Sequence, residues 1–214
     1  MSETQTRTQP APFAQRPHYT EVYPLDDFYA ARGLTLPVFA RVEPEQIPEP
    51  ARQLLVHDKD MTSRLEAYHK RKIHIRVAAR LTRGQEYFRE VALELDGTLE
   101  PVEFGAIKIN LDLFPVEARE EILSETRPLG RILHHCHIEF SSRPSAYFRL
   151  ASDDFIGGVL HLTGAHLLFA RRNTLLDTWE RPLAEIVEIL PPSGRAAEGA
   201  GAGSSPSQTP LIQA

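Results

Sequence analysis

The sequence is poor in sulfur and contains no long apolar run. Its 214 residues include one cysteine, Cys136, and two methionines. A single cysteine excludes an internal disulfide and a metal site built from several thiolates, and it favours a reducing compartment. No stretch approaches the ~20 apolar residues that a membrane-spanning helix needs, and the N-terminus has no apolar segment of the secretory type. We therefore expect a soluble, cytoplasmic protein.

Positively charged residues are fewer than negatively charged ones. The chain has 24 Lys and Arg residues against 29 Asp and Glu residues, which gives a formal net charge of -5. A general nucleic-acid-binding protein normally carries a basic excess, so this balance argues against nucleic acid as a partner. The length and the apolar fraction of 42% suit one globular domain with a substantial core.

Composition divides the chain into one domain and two tails. Residues 1–20 are polar and proline-bearing, and residues 193–214 are a low-complexity run of small residues. Neither end can bury enough apolar surface to offset the entropy lost on ordering, so both are predicted to be disordered. Residues 21–192 are predicted to form the folded domain.

Within this domain the hydrophobic period alternates between helical and strand-like. Helical spacing predicts helices at 47–57, 60–69 and 115–126. A period of two predicts strands at 72–81, 87–95, 102–114, 138–142, 145–150, 158–162, 167–172 and 182–190. Tight turns between consecutive strands, such as the one at Asp96-Gly97, imply antiparallel pairing. The predicted fold class is α+β, with a single antiparallel sheet and helices packed on one side.

Two clusters contain potential metal ligands, but neither has the spacing of a metal site. The segment V-H-D-K-D-M-T-S-R-L-E-A-Y-H, from Val56 to His69, has neither the glycine of a calcium loop nor the paired histidines of a zinc helix. We interpret its acidic residues as surface charge and helix caps, with Asp60 as the N-cap. In H-H-C-H, His134–His137, alternate residues of a strand point to opposite faces, so we interpret this run as a half-buried strand. No metal is predicted.

Arg89 is more informative because it lies inside the predicted strand 87–95. Counting by two places it on one face with Tyr87, Val91 and Leu93. An arginine among apolar neighbours either reaches the edge to pair with a carboxylate or receives the carboxylate of a ligand. The pattern alone leaves both interpretations open.

Five short motifs follow one another between Ile47 and Pro192. They are D-K-D-M-T-S-R-L-E, Y-F-R-E-V-A-L-E-L-D-G, R-P-L-G-R-I-L, A-R-R-N-T-L and P-L-A-E-I-V-E-I-L-P-P. In this order they resemble the chorismate lyase family, the chorismate–pyruvate lyases that make 4-hydroxybenzoate, and especially its chorismate lyase-like branch. The resemblance implies an antiparallel sheet that encloses a small pocket under helical flaps.

The resemblance also implies which residues bind the substrate chorismate. Met61 would line the pocket and contact the ligand, and Arg89 would bind the ring carboxylate. Leu129 would contribute from a flap. Arg171 and Arg172 resemble a basic pair of the family that would meet the second, enolpyruvyl carboxylate.

Arg89 and a glutamate of the final strand are the implied catalytic residues. Glu188 would meet the ring hydroxyl, with Glu185 as the fallback, because these two residues point to opposite faces of a strand and only one can face the pocket. The implied reaction converts chorismate to 4-hydroxybenzoate, or a related hydroxybenzoate, and pyruvate without a cofactor. Its product would serve ubiquinone biosynthesis or aromatic secondary metabolism.

A non-catalytic alternative comes from a different class of protein. The ligand-sensing domains of a family of bacterial transcription regulators resemble the same fold and bind small molecules in the equivalent pocket. Such sensors normally follow a winged-helix DNA-binding domain, and the residues before Ile47 are too few and too proline-rich for one. The sequence therefore favours a lyase, with an aromatic-acid-binding or sensing domain as the alternative.

Overall fold

The computed structural model describes residues 20–192 of the chain. The predicted disordered ends, 1–20 and 193–214, lie outside the described residues apart from Thr20. Within the described part, none of the helices has the length and apolar character needed to cross a membrane.

One antiparallel sheet organises the described residues. Its strands are β1 (Ala40–Val42), β2 (Ile73–Arg83), β3 (Glu86–Leu95), β4 (Pro101–Asn110), β5 (Ser141–Ala151), β6 (Leu167–Leu176) and β7 (Pro182–Leu190). They are arranged in the order β1-β5-β6-β7-β4-β3-β2, and each neighbouring pair is antiparallel. This arrangement places β6, β7 and β4 in the middle of the sheet.

Helices cover the sheet unequally. The helices of the described residues are α1 (Leu25–Arg32), α2 (Ala51–Leu55), α3 (Met61–His69), α4 (Val116–Ser124), α5 (Leu129–His135) and α6 (Asp154–Val159). Helices α2 to α5 pack on one face, which carries Tyr87 and Val91 and is called the helical face here. The single antiparallel sheet and the packing of α2 to α5 together on one of its sides confirm the predicted architecture. Helices α1 and α6, which the sequence pattern did not predict, pack against Phe88 and Phe104 on the other face, called the back face.

Because β3 and β4 are covered on both faces, most charged residues of these strands are buried, namely Arg89, Glu90, Glu94 and Glu103. On the back face Glu90 forms an ion pair with Arg32, and Glu94 forms one with Arg76. A buried charge without a partner costs several kcal/mol, and these ion pairs offset that cost for Glu90 and Glu94. Arg89, on the helical face of β3, has no such carboxylate in contact with it among the described residues.

Two segments predicted as strands contain helices. Residues 158–162 fall at the end of α6, which begins where the Asp153 side chain accepts a hydrogen bond from Ile156 N at 2.8 Å. His134–His137 fall at the end of α5, which begins directly after Pro128. Short helices of one or two turns show too few apolar repeats to be told from strands by period, whereas caps and prolines do mark their starts. The predictions of a strand at both places are wrong.

Candidate functional site

A cavity of about 60 Å³ lies on the helical face, between the sheet and the first turns of α3 and α5. A volume of this size has room for about four to six water molecules, which suits a ligand of one small ring. Most of its wall is apolar and is formed by Met61, Ile75, Val91, Leu93, Ile107, Leu129, Leu175 and Ile186. Its polar lining residues are Asp60, Thr62, Arg89, Glu103, Asn173 and Glu188.

Met61 and Leu129 close the cavity from the helical side. Each is the first residue of its helix and is buried. Asp60 caps α3 as predicted, because its side chain accepts a hydrogen bond from Ser63 N at 2.8 Å. Gly130 allows α5 to approach this cap, since a Cβ at Gly130 would lie 2.2 Å from Asp60 Oδ1. The close contact of the two helices therefore requires glycine at this position.

His134 joins the same two helices. Its Nε2 lies 3.1 Å from Asp60 Oδ2 and 3.4 Å from Ser63 Oγ. His134, the first residue of the H-H-C-H run, thus links α5 to the start of α3, where both helices border the cavity. Across residues 20–192, no group of three or more His, Cys, Asp or Glu side chains is arranged to hold a metal ion.

Arg89 is the cationic residue of the cavity wall. It is only 2% exposed, and its Nη1 donates a long hydrogen bond of 3.4 Å to Ile122 O near the end of α4. Its Nε has no hydrogen-bond partner among the described residues. The neighbouring Glu125 carboxylate is engaged by the Tyr87 hydroxyl and by Arg80 Nη1. Burial lowers the pKa of Arg89, but a guanidinium keeps its charge even when desolvated.

Asn173 lies in the same row of the sheet as Arg89. Across the strands, Asn173 pairs with Ile186, Ile186 with Ile107, and Ile107 with Arg89. Asn173 is fully buried, and its Oδ1 accepts a hydrogen bond from Ser142 Oγ at 3.1 Å. Its Nδ2 has no partner among the described residues. Two unsatisfied N–H donors thus border one cavity from opposite sides.

Glu103 and Glu188 form the acidic end of the cavity. Glu188 pairs across the strands with Gly105, and Glu103 Oε1 lies 3.0 Å from the position that a Cβ at Gly105 would occupy. The absence of a side chain at Gly105 thus makes room for the Glu103 carboxyl beside Glu188. Burial, and secondly the Glu188 charge, holds the pKa of Glu103 well above its usual range, while Arg171 opposes this shift. Glu103 Oε2 has no hydrogen-bond partner among the described residues.

Arg171 is buried behind the acidic end, where it binds the protein itself. Its Nε forms an ion pair with Glu188, and its Nη1 donates to Leu55 O and His57 O, each at 3.1 Å. Its Nη2 donates to Lys59 O at 3.3 Å. Burial and the Arg171 charge lower the pKa of His57 to about 4, so this imidazole stays neutral. Arg171 therefore holds the loop between α2 and α3 on the sheet, and each of its three guanidinium nitrogens already has a partner within the protein.

Arg172 and Glu185 lie on the back face. Arg172 Nη2 is 3.4 Å from Glu185 Oε1, and Glu185 Oε2 is 3.4 Å from Lys108 Nζ. Consecutive strand residues alternate between faces, so neither residue reaches the cavity. This placement corrects the expectation that Arg172 meets a ligand carboxylate. It also shows that Glu188, rather than Glu185, is the glutamate of β7 that lines the cavity.

Four of the predicted site residues come together in this cavity: Met61, Arg89, Leu129 and Glu188. Pattern reasoning missed Glu103 and Asn173. Glu103 could have been found by the same signal as Arg89. It is a charged residue on a strand face that also carries the apolar Ile107 and Ile109. Asn173 stands in the polar run R-R-N-T, where a buried polar residue cannot be told from exposed ones by its sequence neighbours.

Comparison with known proteins identifies the fold. No family model and no curated protein matches the sequence. The solved effector domain of PhnF from Mycobacterium smegmatis is similar with a TM-score of 0.50 and 14% identity, over 62% of this chain and 88% of that chain. PhnF itself matches with a TM-score of 0.49 and 12% identity, over 63% of this chain and 64% of that chain.

The C-terminal domain of the histidine utilization repressor from Pseudomonas syringae pv. tomato is a further structure of this kind. It matches with a TM-score of 0.41 and 11% identity, over 63% of this chain and 100% of that chain. At such identities the likeness to solved structures shows the fold alone. The chain has the α+β, chorismate lyase-like fold.

Proposed function

We propose that this protein binds a small aromatic carboxylic acid in the cavity under α3 and α5. The observation that carries this proposal is Arg89, a cation that lines the cavity and is 2% exposed without a contacting carboxylate among residues 20–192. An unpaired buried charge costs several kcal/mol, so a bound anion that compensates it would gain correspondingly. A carboxylate fits the planar fork of a guanidinium through two parallel hydrogen bonds.

The remaining wall suits a ring. Met61 and Leu129 lie above the cavity, and Val91 and Ile107 lie on the sheet below it. Small ligand sites typically combine such apolar walls with a few convergent polar groups. Asn173 Nδ2 offers a further donor in the row of Arg89. A planar acid would satisfy these donors and fill the space between the two layers.

Binding without catalysis is better supported than turnover of chorismate. The solved domain of PhnF that shares the fold is an effector domain. Chorismate carries two carboxylates, whereas Arg89 is the single arginine or lysine among the described residues that line the cavity. Arg171 is occupied by Glu188 and backbone carbonyls, and Arg172 lies on the back face. The site thus suits a monocarboxylate.

Isothermal titration calorimetry tests this proposal directly. Benzoate and 4-hydroxybenzoate are expected to bind with one molecule per chain. Benzamide, which has the same shape without the charge, is expected to bind at least about tenfold more weakly because it forms no ion pair with Arg89. Absence of binding by both acids, or equal binding of benzamide, would contradict the proposal.

Chorismate pyruvate-lyase activity is a second candidate, favoured by the presence of Glu188 and Arg89 in the same cavity, in neighbouring rows of the sheet. The reaction breaks the ether bond at C3 and moves the proton from C4 to the methylene carbon of the departing enolpyruvate, which leaves an aromatic ring and releases pyruvate. Arg89 would hold the ring carboxylate, and Glu188 would orient the ring hydroxyl or accept the proton from C4. Both roles depend on positioning in a cavity that excludes water.

Pyruvate release separates the two candidates. The protein is incubated with chorismate alone, and pyruvate is measured against the spontaneous rate. For a binding domain we expect no release above that rate, although 4-hydroxybenzoate binds. Release that exceeds the spontaneous rate and disappears in Arg89→Met would instead establish the lyase.

A further inference from the structure

Glu103 is a buried acidic residue that forms no ion pair with any residue between 20 and 192. It is 3% exposed and lines the cavity, and Arg171 forms its ion pair with Glu188 rather than with Glu103. Its Oε2 has no hydrogen-bond partner among the described residues. Native proteins leave few buried polar atoms unsatisfied, and one that lines a cavity points to a missing ligand group or water.

The surroundings of Glu103 favour its neutral, protonated form. Ionisable groups on the elements around the cavity are Arg89 on β3, Asp60 before α3, His57 in the α2–α3 loop, His134 on α5, Arg171 on β6 and Glu188 on β7. Asp60 is engaged by Ser63 N and His134. Burial and the Glu188 charge raise the pKa of Glu103, as described above, so a proton stays on it when other carboxyls have ionised.

We propose that Glu103 is a specificity-determining residue of this cavity, which donates a hydrogen bond as a neutral acid to a hydroxyl group opposite the ligand carboxylate. Glu188, which forms an ion pair with Arg171, accepts the hydrogen bond from the same hydroxyl. A hydroxyl is both donor and acceptor, so it satisfies the two carboxyls together. The inference rests on the proposed binding of an aromatic acid and specifies its class as hydroxylated.

The spacing of the two ends agrees with this class. Arg89 and Asn173 share one row of the sheet, and Glu188 and Gly105 share the next row on the same face. Neighbouring rows on one face are two residues apart, or about 7 Å. The Glu103 carboxyl leans over Gly105 and so lies in this second row. A six-membered ring with substituents at opposite positions spans a comparable distance.

The proton on Glu103 makes recognition of the hydroxyl dependent on pH. A raised pKa means that Glu103 is protonated at low pH and loses its proton only as the pH rises through that value. The ionised pair would then present two acceptors to one hydroxyl, which carries a single proton. The affinity for 4-hydroxybenzoate relative to benzoate is therefore expected to fall with rising pH.

Titration calorimetry of both acids between about pH 5.5 and 8.5, where the ligand carboxylate is ionised and the phenol is not, tests this inference. Wild-type protein should prefer 4-hydroxybenzoate over benzoate by about tenfold at the low end, and this preference should decline only as the pH rises through the raised pKa of Glu103. Glu103→Gln, whose amide still donates, should keep the preference at all pH values. Glu103→Leu should lose it at all pH values.

Gly105→Ala is a second test of the role of Glu103, because it disturbs the Glu103 carboxyl without replacing the residue. Its Cβ would press on the Glu103 carboxyl and should reduce the preference for the hydroxylated acid. If both acids bind but the preference is the same in wild type, Glu103→Leu and Gly105→Ala, the role of Glu103 is overturned while the proposed function stands. If neither acid binds to wild-type protein, the proposed function fails and this inference fails with it.

Discussion

Arg89→Met is expected to lose about 30- to 5,000-fold in affinity for benzoate and 4-hydroxybenzoate, equivalent to about 2–5 kcal/mol. The guanidinium is the cation that lines the cavity, and the change removes both its charge and its paired hydrogen bonds. Methionine retains much of the apolar stem, so the wall of the cavity keeps its shape. Titration calorimetry with the two acids measures the loss.

Although Arg89→Met weakens acid binding, it should not destabilise the ligand-free protein. Arg89 has no contacting carboxylate within the described chain and makes one long hydrogen bond, to Ile122 O, so its charge is held at a cost. Replacement by methionine is expected to leave the free energy of unfolding unchanged or to raise it by about 1–4 kcal/mol. Destabilisation with intact acid binding would show that Arg89 is a structural residue.

Arg172→Met is the matched control for this experiment. Arg172 lies on the back face of the same sheet, partly exposed beside Glu185. Its replacement should leave acid binding within about twofold of wild type, since it does not reach the cavity. A comparable loss of affinity in both variants would mean that the effect of Arg89→Met is not specific to the cavity.

Arg171→Met is expected to destabilise the protein by about 3–5 kcal/mol. Arg171 is fully buried, and its removal leaves the Glu188 carboxylate without its cation. It also leaves the carbonyls of Leu55, His57 and Lys59 without this donor, and these carbonyls lie at the end of α2 and in the loop that leads into α3. Because a domain of this size is stable by only about 5–15 kcal/mol, urea unfolding should show the loss plainly.

Two further variants establish the cause of this loss. Arg172→Met removes a partly exposed pair and should cost less than about 1 kcal/mol. Arg171→Met combined with Glu188→Leu should recover part of the stability, because the orphaned carboxylate is then absent. An Arg171→Met protein as stable as Arg172→Met would refute the structural role of Arg171.

Two arginines buried on the same face of one sheet thus have opposite expected effects on stability. Strand periodicity identified Arg89 as a charged residue near the core. The resemblance to chorismate lyases implied that Arg171, like Arg89, binds a ligand carboxylate. Neither could tell which arginine has a carboxylate partner within the protein. That depends on Glu188, which is 17 residues from Arg171 in the chain and meets it only across the β6–β7 pairing.

Sequence reasoning was weakest where helices are short. The run from His134 to His137 contains too few apolar positions for its period to distinguish one helical turn from a strand, and α6 has the same length problem. The structure also shows that His134 contacts Asp60, whose position 74 residues earlier gives no local signal. Local sequence predicted the Asp60 cap because capping involves only the next three residues.

The sequence by itself determined the α+β class, the principal strands, the cap of α3 and the placement of Arg89 on an inward strand face. These features depend on periodicity and on contacts between near neighbours. Only the tertiary structure decided that Glu103, Asn173 and Glu188 surround the cavity that Arg89 lines, and that Arg172 faces away. Strand order and register bring these residues together, and pairing across a sheet depends on the packing of the whole domain rather than on local sequence.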